Sequence, residues 1–156
     1  MIYLLDLPLD VIAHSHSDMA RSAQQLAETV ADALREAIES HGRASLVVSG
    51  GRSPVAFFQC LSRAELDWSQ VVVSRADERW VDPRSTKSNE YLVCNYLLQG
   101  RAASASFIGL HQPADSLEAA AEAAESAIEA LPQPIDVLVL GMGEDGHTAS
   151  LVPDSP

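Results

Sequence analysis

Short apolar segments alternate with amphipathic segments along this chain of 156 residues. Four of the apolar segments, 45–48, 70–73, 106–109 and 135–140, have the length and composition of strands. The segments between them place apolar residues at helical spacing or carry helix start and stop signals. Because strands that alternate with helices form βαβ units, we predict a mostly parallel sheet with right-handed crossovers. The whole chain, 1–156, is expected to form one α/β domain.

Capping residues set the expected ends of the helices. Ser17 is the expected N-cap of a long first helix that runs from Met19 to Gly42, where glycine can adopt the left-handed conformation that ends a helix. Ser53 is the expected N-cap of the second helix. The remaining expected elements are a short strand over 11–14 and helices over 55–61, 89–98 and 116–130.

The charge balance limits the partners that this chain can have. There are 10 basic and 22 acidic residues, the formal net charge is −12, and Lys87 is the only lysine. Such a surface repels nucleic acid and anionic lipid, so the sequence predicts no nucleic-acid partner and no membrane partner. It also repels a phosphorylated ligand at long range. A phosphate site therefore has to rely on local backbone N–H groups and a few arginines.

The cysteines and the first histidines show no metal-binding pattern. Cys60 and Cys94 each lie inside a helix-like segment, which predicts neither a disulfide framework nor a cysteine-based metal site. His14 and His16 have no carboxylate or cysteine partner at ligand spacing, so no metal is expected there. The sequence contains no signal-peptide pattern and no segment long enough to span a bilayer. These features indicate a cytoplasmic protein.

Three unusual segments follow predicted strands, at 49–54, 77–81 and 141–151. In open α/β sheets, ligands bind at the carboxyl ends of the strands. We therefore expect the three segments to lie at one end of the sheet and to contribute to one site.

The first segment is a glycine-containing loop that leads into a predicted helix. Gly50 and Gly51 let the backbone approach an anion closely, and free N–H groups at a helix start favour phosphate. Ser49 and Ser53 can add hydroxyl donors, and Arg52 is the further phosphate-binding candidate in this loop. The alternative is a tight strand-to-helix turn that holds no ligand.

The second segment concentrates charge in a few residues. Arg79 can clamp an anionic substrate through its planar guanidinium, and Asp77 can orient donors or hold a proton. The alternative is a surface loop of ion pairs with Trp80 packed inward.

The third segment is a glycine-rich turn that contains a histidine. His147 is the candidate general base, because imidazole exchanges protons near neutral pH. Asp145 can orient its ring or raise its basicity. Gly143 is a candidate substrate- or phosphate-binding residue, because it belongs to the turn that places backbone donors near His147. The alternative is a histidine that only caps a turn or lies on the surface.

These segments resemble, in order and approximate spacing, the successive motifs of the 6-phosphogluconolactonase family. The motifs are SGGRSP at 49–54, DERWV at 77–81, SNE at 88–90 and GMGEDGHTASLVPDSP at 141–156. The resemblance implies a three-layer, Rossmann-like α/β fold with helices on both faces of the sheet, as in sugar-phosphate isomerases. It also implies a hydrolase of the oxidative pentose phosphate pathway that converts 6-phospho-glucono-1,5-lactone to 6-phosphogluconate.

The resemblance also implies a role for each loop. His147 would activate water against the lactone carbonyl, with Asp77 and Arg79 lining the same pocket. The residues that would cradle the phosphate are Gly50, Gly51 and Ser53. The partner is a small sugar-phosphate lactone, and no cofactor or metal is expected, because a strained ester carbonyl is already electrophilic. General base catalysis worth about 10²–10⁴, with positioning and oxyanion donors, is sufficient.

The chain departs from the family pattern in two respects. Cys94 stands near a position where the family usually has an arginine. Family members also continue beyond residue 156 by roughly two βα units, at about thirty residues each, which supply a further arginine and a lysine. The chain is therefore expected to be incomplete at its C-terminus, to expose apolar surface on the strand over 135–140 and to be weakly active alone. A monomer or weak homodimer is expected.

Two alternative functions remain open. Glucosamine-6-phosphate deaminases share the fold and the glycine motifs, but typically have a tyrosine where this chain has Arg79. They also have an Asn-Glu pair after the histidine, where this chain has Thr-Ala-Ser-Leu at 148–151. The second alternative is a non-catalytic sugar-phosphate-binding module of the kind fused to regulators. Such a module is expected to carry a helix-turn-helix and a basic face, and this sequence has neither.

Overall fold

Four strands and four α-helices make up the part of the chain that the structure, a computed structural model, describes: residues 7–155. The strands are β1 (Ala44–Val48), β2 (Val71–Arg75), β3 (Ser106–Phe107) and β4 (Val137–Val139). The helices are α1 (Met19–His41), α2 (Val55–Leu61), α3 (Asn89–Leu92) and α4 (Leu117–Ile128). Short 3₁₀ turns cover Trp68–Gln70 and Gly100–Ser104.

The strands form one parallel sheet in the order β3-β2-β1-β4. In the register of the sheet, Leu46 of β1 lies opposite Val73 of β2 and Val137 of β4. All five residues of β1 are buried, as expected for a central parallel strand covered on both faces. The prediction of a parallel α/β sheet is confirmed.

Right-handed crossovers decide which helix covers which face of the sheet. The steps from β1 to β2 and from β2 to β3 run in one direction, so α2 and α3 lie on one face. The step from β3 to β4 runs back across the sheet, so α4 lies on the other face. Burial agrees with this assignment. Leu34 of α1 and Phe58 of α2 share one apolar cluster with Leu46, whereas Ala120 of α4 is buried outside it. The predicted three-layer arrangement is confirmed.

The strand β4 is joined to β1 by a side-chain lock. Asp136 Oδ2 accepts hydrogen bonds from the Ser45 backbone N–H at 2.7 Å and from the Ser45 hydroxyl at 3.0 Å, and the Asp136 N–H donates back to Ser45 Oγ at 2.9 Å. These two residues are 91 positions apart in the sequence. The lock therefore holds the start of β4 against β1, although several strands and helices separate them in the chain.

The β4 segment is shorter and less buried than the sequence predicts. Only Val137–Val139 pair with β1, and Val137 and Val139 pack on the main apolar cluster. Leu138 points to the other side and is 52% exposed, and Leu140 is 47% exposed. The prediction of a fully buried strand over 135–140 was wrong, because only one of its faces is packed. The expected exposure of apolar surface on this segment is seen.

Three local expectations near the helix starts were also wrong. Residues 11–14 form no strand. The N-cap of α1 is Asp18, whose carboxylate accepts from the Arg21 N–H at 2.7 Å, so the cap falls one residue after Ser17. Ser53 does not cap α2, because Pro54 occupies the N-cap position and the helix starts without a side-chain cap.

The predicted helix over 89–98 changes pitch halfway. Ser88 is its N-cap, with Oγ accepting from the N–H groups of Glu90 and Tyr91. After Leu92 the chain continues as a π-helical segment over Val93–Leu97.

The later elements also differ slightly from their predicted bounds. The predicted strand at 106–109 shortens to Ser106–Phe107, and the predicted helix over 116–130 becomes α4 with Ser116 as its N-cap. No helix in the described residues is long and apolar enough to cross a membrane.

Candidate active site

The sheet order creates a crevice at the carboxyl ends of β1 and β4. The chain leaves β1 towards β2 on one side, and β4 is added later on the other side of β1. Loops that leave neighbouring strands in opposite directions open a crevice, which is where open α/β sheets bind their ligands. A cleft of about 490 Å³ lies at this point.

Eight of the ten residues proposed from sequence line this cleft. They are Ser49, Gly50, Gly51, Ser53, Asp77, Arg79, Gly143 and His147. The structure therefore brings the three predicted loops together at one cleft. Arg52 and Asp145 are exposed and do not line it. Asp145 nevertheless contacts the site through His147.

The rest of the cleft wall is mostly apolar. It includes four residues of the predicted segments 49–54 and 141–151 that were not singled out from sequence, and other residues that lie outside the three segments. It comprises Met19, Ser22, Ala23, Leu26, Pro54, Phe57, Asn89, Val139, Leu140, Gly141, Met142 and Ala149. Four of these residues come from α1, whose apolar positions repeat at helical spacing and predict only core packing. Asn89 had a usable signal, because it follows the N-cap Ser88 in the SNE motif.

The loop between β1 and α2 presents unused backbone donors. Gly51 has a left-handed φ of +88°, which glycine adopts without strain. The N–H groups of Gly51, Arg52 and Ser53 donate to no acceptor among the described residues. Since α2 also lacks a side-chain cap, the N–H groups of Gly51 and Ser53, which line the cleft, are available to an anion there.

Gly50 is required by packing in the same loop. A Cβ at this position would overlap the side-chain amide of Asn89, which is 1% exposed. The backbone of Gly50 thus packs directly against the buried Asn89 side chain. This contact fixes the position of the loop over 49–54, which is called the glycine loop below.

His147 is held by a turn and by a carboxylate. The Gly143 N–H donates to the His147 carbonyl at 2.8 Å, and the Gly146 N–H donates to the Gly143 carbonyl at 3.0 Å. His147 Nδ1 lies 2.6 Å from Asp145 Oδ1, and the same oxygen accepts from the His147 backbone N–H at 3.2 Å. The side-chain hydrogen bond with His147 lowers the pKa of Asp145 below its usual value.

This contact determines the tautomer of the neutral imidazole. The ionised Asp145 carboxylate can only accept a hydrogen bond, so Nδ1 of His147 carries the proton. Nε2 then has the free lone pair. The arrangement leaves one nitrogen of His147 competent to take a proton.

Replacing Gly143 by alanine is expected to displace the His147 ring. A Cβ at Gly143 would overlap the imidazole and Asp145 Oδ1, although the Gly143 φ is not left-handed and the backbone accepts alanine. We expect kcat for a reaction that uses His147 to fall by about 10–100-fold, because misplacement of a reacting group by about 1 Å has effects of this order. Steady-state kinetics and a urea unfolding curve measure the two effects separately, and the free energy of unfolding should change by only about 1 kcal/mol.

The matched control is Gly141→Ala in the same loop. Its added Cβ would meet only the Ser49 hydroxyl, at an ordinary 3.8 Å. Its loss of activity should be clearly smaller than that of Gly143→Ala. Equal losses in the two variants would contradict the steric role of Gly143.

Asp77 is fixed by donors from two sides. Its Oδ2 accepts from the Ser150 hydroxyl at 2.8 Å. The Asn89 amide donates to the Asp77 carbonyl at 3.1 Å and to Oδ1 at 3.3 Å. Arg79 is exposed at the cleft, and its Nη1 donates to the Lys87 carbonyl at 2.8 Å.

A buried cluster of ion pairs holds the backbone of Asn89 in place. Glu78 accepts from the backbone N–H groups of Asn89 at 2.8 Å and of Glu90 at 3.0 Å, and it pairs with Arg75. The Arg75 side chain is fully buried, lies 3.2 Å from Glu90 Oε2 and stacks over Phe107. Burial lowers the pKa of Arg75, against the opposing effect of Glu90. Sequence reasoning missed this cluster.

Two other residues from the sequence analysis lie outside the cleft. Trp80 is 54% exposed and stacks on His111 with 5.2 Å between ring centroids, so it is not packed inward. Burial and the neighbouring Glu90 raise the pKa of the Cys94 thiol, which keeps it protonated. Among the described residues, no group of three or more His, Cys, Asp or Glu side chains could hold a metal ion.

The parallel sheet and the crevice at its switch point define an α/β protein of the open-sheet class, in which ligands bind at the carboxyl ends of the strands. Residues 17–156 match the family described as Glucosamine-6-phosphate isomerases/6-phosphogluconolactonase, and the chain belongs to this family. The resemblance of the motifs to this family is thereby confirmed.

Individual relatives agree with this assignment. The chain is 57% identical over 152 residues to a 6-phosphogluconolactonase of Pseudomonas aeruginosa, covering 97% of this chain and 64% of that protein. It is 53% identical to a 6-phosphogluconolactonase of Pseudomonas putida, covering 97% and 62%. A crystal structure of a 6-phosphogluconolactonase from Shewanella baltica superimposes with a TM-score of 0.84 at 47% identity, covering 86% and 58%. The chain thus spans a little under two thirds of the length of these relatives.

Proposed function

We propose that the protein hydrolyses 6-phospho-glucono-1,5-lactone to 6-phosphogluconate. The observation that carries the proposal is the His147–Asp145 pair, with His147 on the cleft wall that also contains the glycine loop. The names of the relatives support the same reaction. A general base and an anion site in one cleft are what the hydrolysis of a phosphorylated lactone requires.

In the proposed reaction His147 acts first as a base and then as an acid. Its Nε2 takes a proton from water while the water oxygen attacks the lactone carbonyl carbon. The resulting tetrahedral intermediate expels the ring oxygen, which receives the proton back from the imidazolium. Asp145 stabilises the positive charge on His147 between the two steps, as a carboxylate next to a catalytic imidazole does.

The proposed phosphate site is the loop between β1 and α2. The N–H groups of Gly51, Arg52 and Ser53, which lie just before α2, donate to no acceptor among residues 7–155. Ser49 and Ser53 are also among the residues that line the cleft. Because the net charge of −12 repels phosphate at long range, these short-range donors and Arg79 supply the attraction.

Replacing Asp145 by asparagine is expected to lower kcat by about 10²–10⁴, because the amide no longer stabilises the imidazolium or selects the tautomer. The low pKa of Asp145 keeps its carboxylate ionised across the working range of a histidine base. Steady-state kinetics of both proteins measure the difference in kcat.

The matched control is Glu144→Gln, which removes the neighbouring exposed carboxylate. Glu144 makes no hydrogen bond to another described residue, so its loss tests the change in net charge alone. Similar losses in Asp145→Asn and Glu144→Gln would show that general electrostatics, rather than the contact with His147, explains the effect.

The substrate assay distinguishes the alternatives. The purified protein is given 6-phospho-glucono-1,5-lactone or glucosamine 6-phosphate, with the spontaneous opening of the lactone subtracted. Lactone hydrolysis without ammonia release supports the proposal. Ammonia release would indicate a deaminase, and binding of 6-phosphogluconate without turnover of either compound would indicate a sugar-phosphate-binding module.

A further inference from the structure

We infer that Ser150 is a positioning residue for this reaction, which holds the His147 loop in place through Asp77. The inference rests on the proposed function. Ser150 lines no part of the cleft, and its hydroxyl is committed to Asp77 Oδ2 at 2.8 Å. It therefore acts through the geometry of the loop and not on the substrate.

Ser150 stands at the tip of a closed turn immediately after His147. Thr148 and Leu151 exchange backbone hydrogen bonds, N to O, of 3.1 and 2.9 Å. Between them Ala149 has a left-handed φ of +49°, an unusual conformation for a residue with a Cβ. The Thr148 hydroxyl donates to the Gly141 carbonyl, which ties the base of the turn to the end of β4. The turn is thus a compact unit that moves together with His147.

The hydrogen bond of Ser150 is the tie between this unit and the loop after β2. The partners are 73 residues apart in the sequence. Within the described residues, it is the only side-chain hydrogen bond that joins the segment 141–155 to another element. A hydroxyl that donates to a carboxylate makes a charge-assisted hydrogen bond, which is stronger than a neutral one.

Asp77 is a rigid partner because its other side is anchored in the core. Its Oδ1 and its carbonyl accept from the Asn89 amide, which is 1% exposed. Asn89 in turn donates its backbone N–H to the buried Glu78 at 2.8 Å. An exposed loop is therefore attached, through one serine, to a fixed point of the protein. Loss of that attachment leaves His147 free to shift relative to the glycine loop.

The test compares Ser150→Ala with Ser150→Thr, which keeps the hydroxyl, and with Ser155→Ala. Ser155 is an exposed serine whose hydroxyl makes no hydrogen bond with the described residues. We expect Ser150→Ala to lower kcat by about 10–100-fold with KM within about twofold, because misplacement affects the transition state more than binding. Ser150→Thr should restore most of the activity, and Ser155→Ala should match the unmodified protein.

A second experiment tests whether the effect of Ser150→Ala on kcat depends on Asp77. In an Asp77→Ala background, adding Ser150→Ala should change kcat by less than about twofold, since residues that act through one contact are not additive. An unchanged kcat in Ser150→Ala, or the same fold loss with and without Asp77, would overturn the inference.

Hydrogen exchange separates failure of the inference from failure of the proposed function. Ser150→Ala should speed amide exchange over 143–151 by about tenfold, whereas Ser150→Thr should not, because exchange in a loop reports local opening. If the unmodified protein hydrolyses no lactone, the proposed function fails and exchange alone decides the inference. Identical exchange in Ser150→Ala and the unmodified protein would then refute it.

Discussion

We predict that replacing His147 by alanine lowers kcat for the proposed lactone hydrolysis by about 10²–10⁴, the usual contribution of a general base. His147 lines the cleft, and the imidazole keeps a free lone pair on Nε2, since Asp145 engages its other nitrogen at 2.6 Å. Its side chain is 45% exposed, so folding should be nearly unaffected. Stopped assays at several pH values measure the rate after subtraction of spontaneous opening.

The control for this variant is His41→Ala. His41 is an exposed histidine in the last turn of α1 and does not line the cleft. Its removal should leave kcat unchanged, and added imidazole should restore part of the activity of His147→Ala but not alter the control. Near-normal turnover in His147→Ala after correction would remove this residue from the mechanism.

Replacing Arg75 by methionine will lower the free energy of unfolding by about 3–5 kcal/mol, as expected when one partner of a buried ion pair is removed. The Arg75 side chain is fully buried between Glu78, which is 7% exposed, and Glu90. Methionine fills a similar volume but leaves both carboxylates without their positive partner. Urea unfolding curves of the two proteins give the difference.

The protein contains a matched exposed pair. Arg84 forms an ion pair with Asp82 at 2.9 Å, and the Arg84 side chain is 90% exposed. Arg84→Met should change the free energy of unfolding by no more than about 0.5 kcal/mol, because exposed pairs contribute little. Equal effects of the two substitutions would refute the structural role assigned to Arg75.

The general fold was predictable from sequence because a parallel strand buried on both faces consists of a short, nearly continuous run of apolar residues. The run around Leu46 and Val48 marks β1, and the segment around Val73 marks β2. The meeting of the three unusual loops at one cleft was predictable for a related reason. Parallel strands end at one edge of the sheet, so chemically unusual loops after several strands must lie near each other.

The features of the site that could not be predicted from sequence depend on contacts between residues far apart in the chain. Ser150 is an ordinary polar residue until the fold brings it to Asp77. The SNE motif marks Asn89, but it does not indicate that Asp77 is the partner of the Asn89 amide. Arg75 follows an apolar run and shows no sign in the sequence that its guanidinium is buried. The apolar residues of α1 that line the cleft repeat at the same helical spacing as residues that pack in the core. Periodicity alone therefore cannot distinguish a cleft residue from a core residue.

The lock between Ser45 and Asp136 has a consequence for the order in which the protein is assembled. Chains are synthesised at about 5–20 residues per second, so the 91 positions between these partners take roughly 5–18 seconds. During that interval, the edge of β1 that will pair with β4 has no partner strand, while β1 and β2 can already associate. The crevice exists only after this long closure, since β4 forms one of its sides. We therefore expect ligand-binding capacity to be acquired only after this closure, because a contact between residues so far apart in the chain forms slowly.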